Sequence, residues 1–184
     1  MNRNSRTTWI LTLALPVAGF FAISSAIKAA GVPDSEQINR LLSDVKTQAF
    51  ELKEDAAIME TFSRSNVPWE SHVMAISQIK DHLNEVGRQL KKLEDARAIA
   101  SPWQATAIDR IGPLLRQLAS DTSAVIERIN SSHGRIHTGD YQEYLEANAD
   151  SADQLAQLIS DFVNYGRTKD RQERPTNRLE IPNP

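Results

Sequence analysis

Four segments of the chain carry apolar residues at alternating spacings of three and four positions, and these four stripes constrain the fold more than any other feature. Such spacing places the residues along one side of an α-helix, where they can pack against neighbouring helices. The first two stripes are Ile38, Leu42, Val45, Ala49, Leu52, Ala56 and Met59, and Trp69, His72, Ile76, Ile79, Leu83, Val86, Leu90 and Leu93. The other two are Ile108, Ile111, Leu115, Leu118, Thr122, Val125 and Ile129, and Tyr141, Leu145, Asn148, Ala152, Leu155, Ile159 and Phe162. The chain is therefore predicted to be all-α.

Short segments separate the four stripes. The stripes predict helices over the ranges 34–63, 67–99, 101–132 and 140–165. Short connections between long helices place consecutive helices antiparallel. The prediction is an antiparallel up-down-up-down four-helix bundle with long heptad-patterned helices, each roughly 45 Å long at about 1.5 Å per residue.

Helix-capping residues support these boundaries. Asp34 is predicted to cap the first helix, and Ser101 with Gln104 to cap the third. Gly166 follows the fourth stripe, where a left-handed C-terminal cap is expected. The remaining residues, 167–184, contain three prolines and few apolar side chains, which predicts a disordered C-terminal tail.

Two positions inside the predicted helices conflict with the regular pattern. Asn148 would bury an amide in the fourth stripe. We interpret it as lying at the rim of the bundle with Ala149 inside, the alternative being a buried Asn that fixes the register of the helices. Gly112 and Pro113 fall inside the third helix, where proline removes a backbone donor, and a kink is predicted there.

Residues 1–29 have the three parts of a secretory signal peptide. Two arginines precede an apolar run, and small residues follow it, with Ala29 placed for cleavage by a signal peptidase. The alternative is an uncleaved membrane anchor over residues 9–27. The chain contains no cysteine, which excludes a disulfide framework and a lipid-modified cysteine. We therefore predict an exported protein, periplasmic or extracellular, or one that is tethered to the membrane in the alternative.

The charge of the chain excludes some classes of partner. Without residues 1–29, the chain has 18 basic and 24 acidic residues and a net charge of −6. Five of the basic side chains lie in residues 167–184, so the part that is predicted to form the bundle is more acidic still. This charge argues against binding to nucleic acid and against adhesion to anionic lipid.

The sequence contains none of the common catalytic motifs. None of the four histidines has a glutamate three residues before it, which excludes the Glu-x-x-His pairs of carboxylate di-iron bundles. The lack of cysteine excludes covalently attached haem, and there is no Gly-rich phosphate loop and no Gly-x-Ser-x-Gly sequence. The sequence therefore predicts no enzymatic activity and no resident cofactor.

The predicted topology brings polar residues together at the end where the second helix begins. Four side chains that could bind a metal would meet there: His72, His133, His137 and Asp140. Imidazole and carboxylate groups are suitable ligands for Zn²⁺ or Cu²⁺. We favour a simpler interpretation, in which the connection histidines are solvated and His72 is a partly buried, hydrogen-bonded member of its stripe. A metal-binding or sensory bundle, binding a small ligand or a metal, is the alternative.

Two similar sequences, VPWES at 67–71 and SPWQA at 101–105, each place a tryptophan at the start of a predicted helix. Trp69 is in register with the second stripe and is predicted to lie in the core. Trp103 is one position off the third stripe, which projects back to Gln104, and is predicted to lie at the rim as a contact for a partner. The sequence thus predicts an exported, non-enzymatic helical bundle that binds an unknown protein partner or serves a structural role in the cell envelope. Monomer and homodimer both remain open.

Overall fold

The computed structural model describes residues 32–132 and 139–179. Within these residues the chain forms four α-helices, α1 (Glu36–Phe62), α2 (Trp69–Asp95), α3 (Pro102–Ser132) and α4 (Gly139–Leu179), with a short 3₁₀ helix (Arg97–Ile99) between α2 and α3 and no β-strand. The all-α prediction is confirmed, and the bounds of the first three helices lie within a few residues of the predicted ones. The signal-peptide prediction falls on residues that lie outside the described part of the chain.

The contacts at the helix ends give the directions of the helices. α1 and α3 each lie between α2 and α4. At the turn from α1 to α2, the rings of Phe62 and His72 lie 5.3 Å apart, centroid to centroid. At the opposite end, the Gln104 amide in the first turn of α3 bonds to the backbone of Ser35 just before α1. Consecutive helices therefore run antiparallel. We call the end where α1 and α3 begin the Trp103 end, and the opposite end the His72 end.

The core contains most of the predicted stripe residues. All seven residues of the first stripe and all seven of the third are buried. In α2, however, Trp69 is 42% exposed, so its predicted place in the core is wrong. Phe62 packs edge-on against His72 and closes the core one turn further along α2, which leaves the first turn outside. Near the end of the fourth stripe Val163 is buried and Phe162 only partly so, because the helical period is not an integer and the buried side drifts along a long helix.

The starts of α1 and α3 are linked by one side chain. The Oγ atom of Ser35 accepts a hydrogen bond from the Ile38 amide at 3.4 Å, so Ser35 is the N-cap of α1. The predicted cap, Asp34, is wrong because its carboxylate bonds to α3 and α4 instead. In α3, Gln104 Oε1 accepts from the Ser101 amide at 3.0 Å, which confirms Gln104 as the capping partner.

α4 does not end at Gly166 but continues to Leu179. The predicted C-terminal cap is wrong, and so is the predicted disordered tail as far as Leu179. Gly166 is buried against the ring of Trp103, and one turn later Lys169 pairs with the carboxylate before α1. These contacts hold a segment whose composition is otherwise typical of disorder. Residues 180–184 lie outside the described part of the chain.

Asn148 is 2% exposed, so the prediction that it lies at the rim is wrong. Its Nδ2 atom donates a hydrogen bond to Thr122 Oγ1 across the α3–α4 interface, at 2.8 Å. Thr122 is equally buried. Ala149, which was predicted to lie inside, is only partly buried. The amide is accommodated because the neighbouring helix offers a polar stripe residue at the same level.

The helices of the described residues are continuous. α3 is a single helix through Gly112 and Pro113, and the kink that the sequence predicts there stays a prediction. None of the helices in the described part of the chain is both long enough and apolar enough to cross a bilayer.

Candidate functional sites

A buried carboxylate holds the Trp103 end of the bundle together. The side chain of Asp34 is only 9% exposed. Its Oδ1 atom accepts a hydrogen bond from Trp103 Nε1 at 2.7 Å and lies 2.8 Å from Lys169 Nζ. The Trp103 ring also packs edge-on to Tyr165, with 5.3 Å between the ring centroids. Trp103 is therefore partly buried and engaged within the bundle, and its predicted contact with a partner stays a prediction.

Hydrogen bonding to Asp34 sets the charge state of this site. Burial acts to raise the pKa of the Asp34 carboxyl, but hydrogen bonds from Lys169, Ser101 and Trp103 outweigh burial and lower this pKa below its ordinary value. The same bond to Asp34 raises the pKa of Lys169. Both groups therefore stay ionised over a wide pH range. Such a pair is suited to holding helix ends together and not to transferring protons.

Gln104 is fully buried at the same end, and its amide makes four hydrogen bonds. Its Oε1 atom accepts from the backbone amides of Ser35 and Ser101, both at 3.0 Å. Its Nε2 atom donates to the Ser35 carbonyl at 2.9 Å and to Asn39 Oδ1 at 2.8 Å. Two donors and two acceptor positions are all that a glutamine amide has. Gln104 is therefore a structural link between the starts of α1 and α3.

Two open depressions flank Trp103. The smaller has a volume of about 200 Å³ and lies between α1 and α4. The larger, of about 550 Å³, contains Asp34, Lys169 and Glu173. These three side chains already pair with one another, since Lys169 bridges both acids. The charged side chains of the larger depression are therefore already paired within the bundle, and together they leave one negative charge.

At the His72 end, a buried imidazole joins α2 to α4. His72 is 1% exposed, and its Nδ1 atom lies 2.8 Å from the hydroxyl of Tyr141. Burial raises the pKa of Tyr141, so the hydroxyl remains protonated. The rings of Phe62 and Tyr141 both pack against the imidazole, with ring centroids 5.3 and 5.4 Å from its own. His72 is thus a hydrogen-bonded stripe residue, as the sequence indicates, but it is fully and not partly buried.

The predicted metal site includes two residues that the structure describes and two that it does not. His72 bonds to Tyr141 as above, and Asp140 pairs with Arg128 at 3.6 Å. His133 and His137 lie outside the described residues. Within residues 32–132 and 139–179, no three His, Cys, Asp or Glu side chains are grouped closely enough to hold a metal ion. Binding of Zn²⁺ or Cu²⁺ at this end therefore stays a prediction.

A shallow apolar groove lies between α2 and α3 near the His72 end. Its volume is about 170 Å³, and it is lined by Val73, Ile76, Ser77, Lys80, Ile126, Ile129 and Asn130. Trp69 lies one turn before Val73 on the same side of α2, because residues four apart share a helix face. The neighbouring Met74 is 69% exposed. We call the lining residues together with Trp69 the α2–α3 groove.

The surroundings of the α2–α3 groove are poor in charge. Most exposed residues around it are uncharged, namely Ser77, Gln78, Ser120, Ser123, Asn130 and Ser131, and the nearest acids are Asp81 and Glu127. By contrast, residues 139–166 of α4 contain six acidic and no basic side chains. An apolar centre with few charges and an exposed aromatic residue is typical of protein interfaces.

The stripe pattern assigned Trp69 to the core and for that reason missed the groove. A signal was present in the sequence, since Pro68 directly precedes Trp69 and marks it as the start of its helix. At this start Phe62 closes the core in place of Trp69, whereas Ile38 and Tyr141 in the first turns of α1 and α4 are buried. Trp103 also follows a proline at the start of its helix, but it is partly buried, because Tyr165 and Gly166 of α4 pack against its ring.

Comparisons with protein-family models, with curated proteins and with solved structures gave no significant match to this chain. The fold alone defines the class of this protein, which is an all-α helical bundle. Its function is therefore inferred from the surfaces described above.

Proposed function

We propose that this protein is an exported helical bundle that acts by binding another protein and not by catalysis. The α2–α3 groove is the observation that carries this proposal, because it combines an apolar centre, few charges and the exposed Trp69. Tryptophan is enriched among the residues that contribute most to the affinity of interfaces. In this proposal Trp69 is the main anchor, and Trp103 is chiefly structural.

Ion pairs among the described residues connect separate parts of the chain, which supports a structural role for these charges. Three acids whose pKa is lowered each pair with a base from another part of the chain: Asp34 with Lys169, Asp109 with Arg97, and Asp153 with Lys53. Each of these pairs joins two helices or a helix and a connection. None of them lies in the α2–α3 groove, so the groove is available to a partner without breaking them.

Export is the second part of the proposal and rests on the sequence of residues 1–29. The N-cap of α1 is Ser35, which follows the predicted cleavage site after Ala29. Cleavage would therefore leave every helix of the described bundle whole. A partner would be met in the periplasm, in the envelope or outside the cell.

Site-specific photo-crosslinking tests the groove directly. A benzophenone amino acid is placed at Ser77, which is exposed and lines the groove, or at Gln154, which is also exposed but lies on α4. Irradiation with the envelope fraction of the producing organism should give a protein adduct from position 77 and none from position 154. Adding the Trp69→Ala substitution should abolish the adduct from position 77.

The matched position 154 separates docking from unspecific adhesion. Equal adducts from both positions, or an adduct from position 77 that survives Trp69→Ala, would show that the groove is not the docking surface. Circular dichroism of each variant verifies that the helices are intact. Since Trp69 is 42% exposed and begins its helix, its replacement leaves the packed core unchanged.

A further inference from the structure

Five residues of α2 form one strip along the α2–α3 groove. They are Trp69, Glu70, Val73, Ser77 and Lys80. Their spacings of three, four and seven keep them on the same side of the helix. Val73, Ser77 and Lys80 line the groove itself. The strip has an apolar and neutral centre and a charge of opposite sign near each end.

The two charges are placed symmetrically about the middle of the strip. Glu70 lies five residues before Ala75, and Lys80 lies five residues after it. At about 1.5 Å per residue, each charge is roughly 7.5 Å along the helix axis from this midpoint. Both side chains are exposed, and neither forms an ion pair within the described residues. The strip is thus complementary to itself when it is reversed.

We propose that the partner in the α2–α3 groove is a second copy of this chain. Two copies related by a twofold axis that crosses the strip between Val73 and Ser77 place their α2 helices antiparallel, so Glu70 of each copy faces Lys80 of the other. A twofold interface repeats every contact, and the two ion pairs therefore form together. Trp69 of each copy then covers the Lys80 end of the other copy's groove. This inference rests on the proposed function and names its partner.

The distribution of charge favours this partner over a basic one. Residues 139–166 of α4 carry six acids and no base, so a basic protein would bind there and not in the charge-poor groove. Two copies that met through α4 would repel each other. On the strip, Glu70 of each copy meets Lys80 of the other, and this attraction opposes the like charge of the exposed Asp81 beside Lys80.

Charge exchange tests the twofold arrangement. The protein, purified from an exporting host, is studied by sedimentation equilibrium from about 1 μM to 1 mM at low salt. The unaltered chain should form a dimer. Glu70→Lys and Lys80→Glu should each raise the dimer dissociation constant about tenfold, because each puts like charges opposite one another at two places. The double variant Glu70→Lys/Lys80→Glu should restore dimerisation, since both pairs re-form with their signs exchanged.

Arg116→Glu is the control, because it makes the same charge change at an exposed residue of α3 that lies outside the groove. It should leave the dissociation constant unchanged. A chain that stays monomeric up to about 1 mM overturns the proposal. The proposal is also overturned if the single substitutions leave the dissociation constant unchanged, or if the double variant does not restore dimerisation.

Failure of this proposal can be told from failure of the proposed function. The benzophenone at position 77 should give a product of twice the chain mass in the purified protein, without envelope extract. A monomeric chain whose position 77 still forms a Trp69-dependent adduct with an envelope protein retains the proposed function and loses only the second copy as the partner.

Discussion

Gly166 was predicted to end a helix, but it lies inside one and allows close packing. Glycine near the end of an apolar stripe commonly marks a left-handed helix cap. Here it lies inside α4, and a Cβ atom added to it would come within 2.8 Å of Trp103 Cη2. The glycine is therefore needed for the close approach of an aromatic ring and not for an unusual backbone angle. The pattern along one helix contains no information about the ring that packs on it.

We expect Gly166→Ala to destabilise the protein. Alanine favours a helix interior by about 1 kcal/mol over glycine, but overpacking against the Trp103 ring costs about 1–3 kcal/mol. Gly87→Ala is the matched control, since nothing lies within 4 Å of a Cβ atom there. That variant should gain about 0.5–1 kcal/mol. Urea unfolding of the three proteins measures both effects. A Gly166→Ala variant as stable as the Gly87→Ala variant would refute the proposed packing.

Because of Asp34, the free energy of unfolding should decrease at acid pH. Its pKa is lowered in the folded protein, so the folded state binds the proton less tightly than the unfolded chain. The stabilisation is therefore present above the unfolded pKa of about 3.9 and is lost as the pH falls through the lower folded pKa. At pH 7 we expect Asp34→Asn to be less stable than the unaltered chain by about 1–3 kcal/mol. This difference should shrink below about pH 4.

The control for this pH dependence is Asp44→Asn, the same change at an exposed position of α1. It should alter the free energy of unfolding little between neutral and acid pH. A stability gap between the unaltered chain and Asp34→Asn that stays constant down to about pH 2 would show that the carboxylate is not the source.

At the scale of the elements, periodicity predicted α1 and α3 well because both helices are buried along one side over the whole length of their stripes. It failed at the start of α2 and beyond Gly166 in α4. At both places the outcome depends on which neighbouring helix reaches the residue, as Phe62 reaches His72 and Trp103 reaches Gly166. Spacing within one helix cannot show such contacts.

The hydrogen bond between Asn148 and Thr122 should couple the effects of substitutions at these two positions on stability. Asn148→Leu leaves the buried Thr122 hydroxyl without its partner and should cost about 1–3 kcal/mol. The double variant Thr122→Val/Asn148→Leu removes both polar groups and should be close to the stability of the unaltered chain. A double-mutant cycle of unfolding free energies measures this coupling. Strict additivity of the two substitutions would contradict it.

The segment of α4 after Gly166 should contribute to stability through Lys169. A chain that stops after residue 166 loses the ion pair with Asp34 and should be less stable by about 1–3 kcal/mol. A chain that stops after residue 173 keeps Lys169 and should unfold close to the temperature of the full chain. Thermal unfolding followed by circular dichroism compares the two truncations. Equal unfolding temperatures would mean that the segment is dispensable.

At the scale of the whole molecule, the candidate site was the part that the sequence did not reveal. Short connections and four stripes were enough to predict the bundle. The α2–α3 groove, however, depends on how α2 and α3 lie side by side, with Val73 and Ile76 facing Ile126 and Ile129. Each of these residues is an ordinary apolar residue in its own helix. Only their placement together, with Trp69 at the end, makes a surface.

At the scale of the whole molecule, we expect the protein to be exported and residues 1–29 to be removed by signal peptidase. Intact-mass measurement of protein from an exporting host should give a chain that begins at Ala30. Ala29→Asp should block processing and leave the full-length chain in the membrane fraction, because the site requires a small residue there. Lys28→Gln is the control, since the residue between the two recognised positions is unconstrained. The cleaved chain retains Ser35, the N-cap of α1, and should unfold as a complete bundle. A mass that includes residues 1–29 would instead identify them as a permanent anchor.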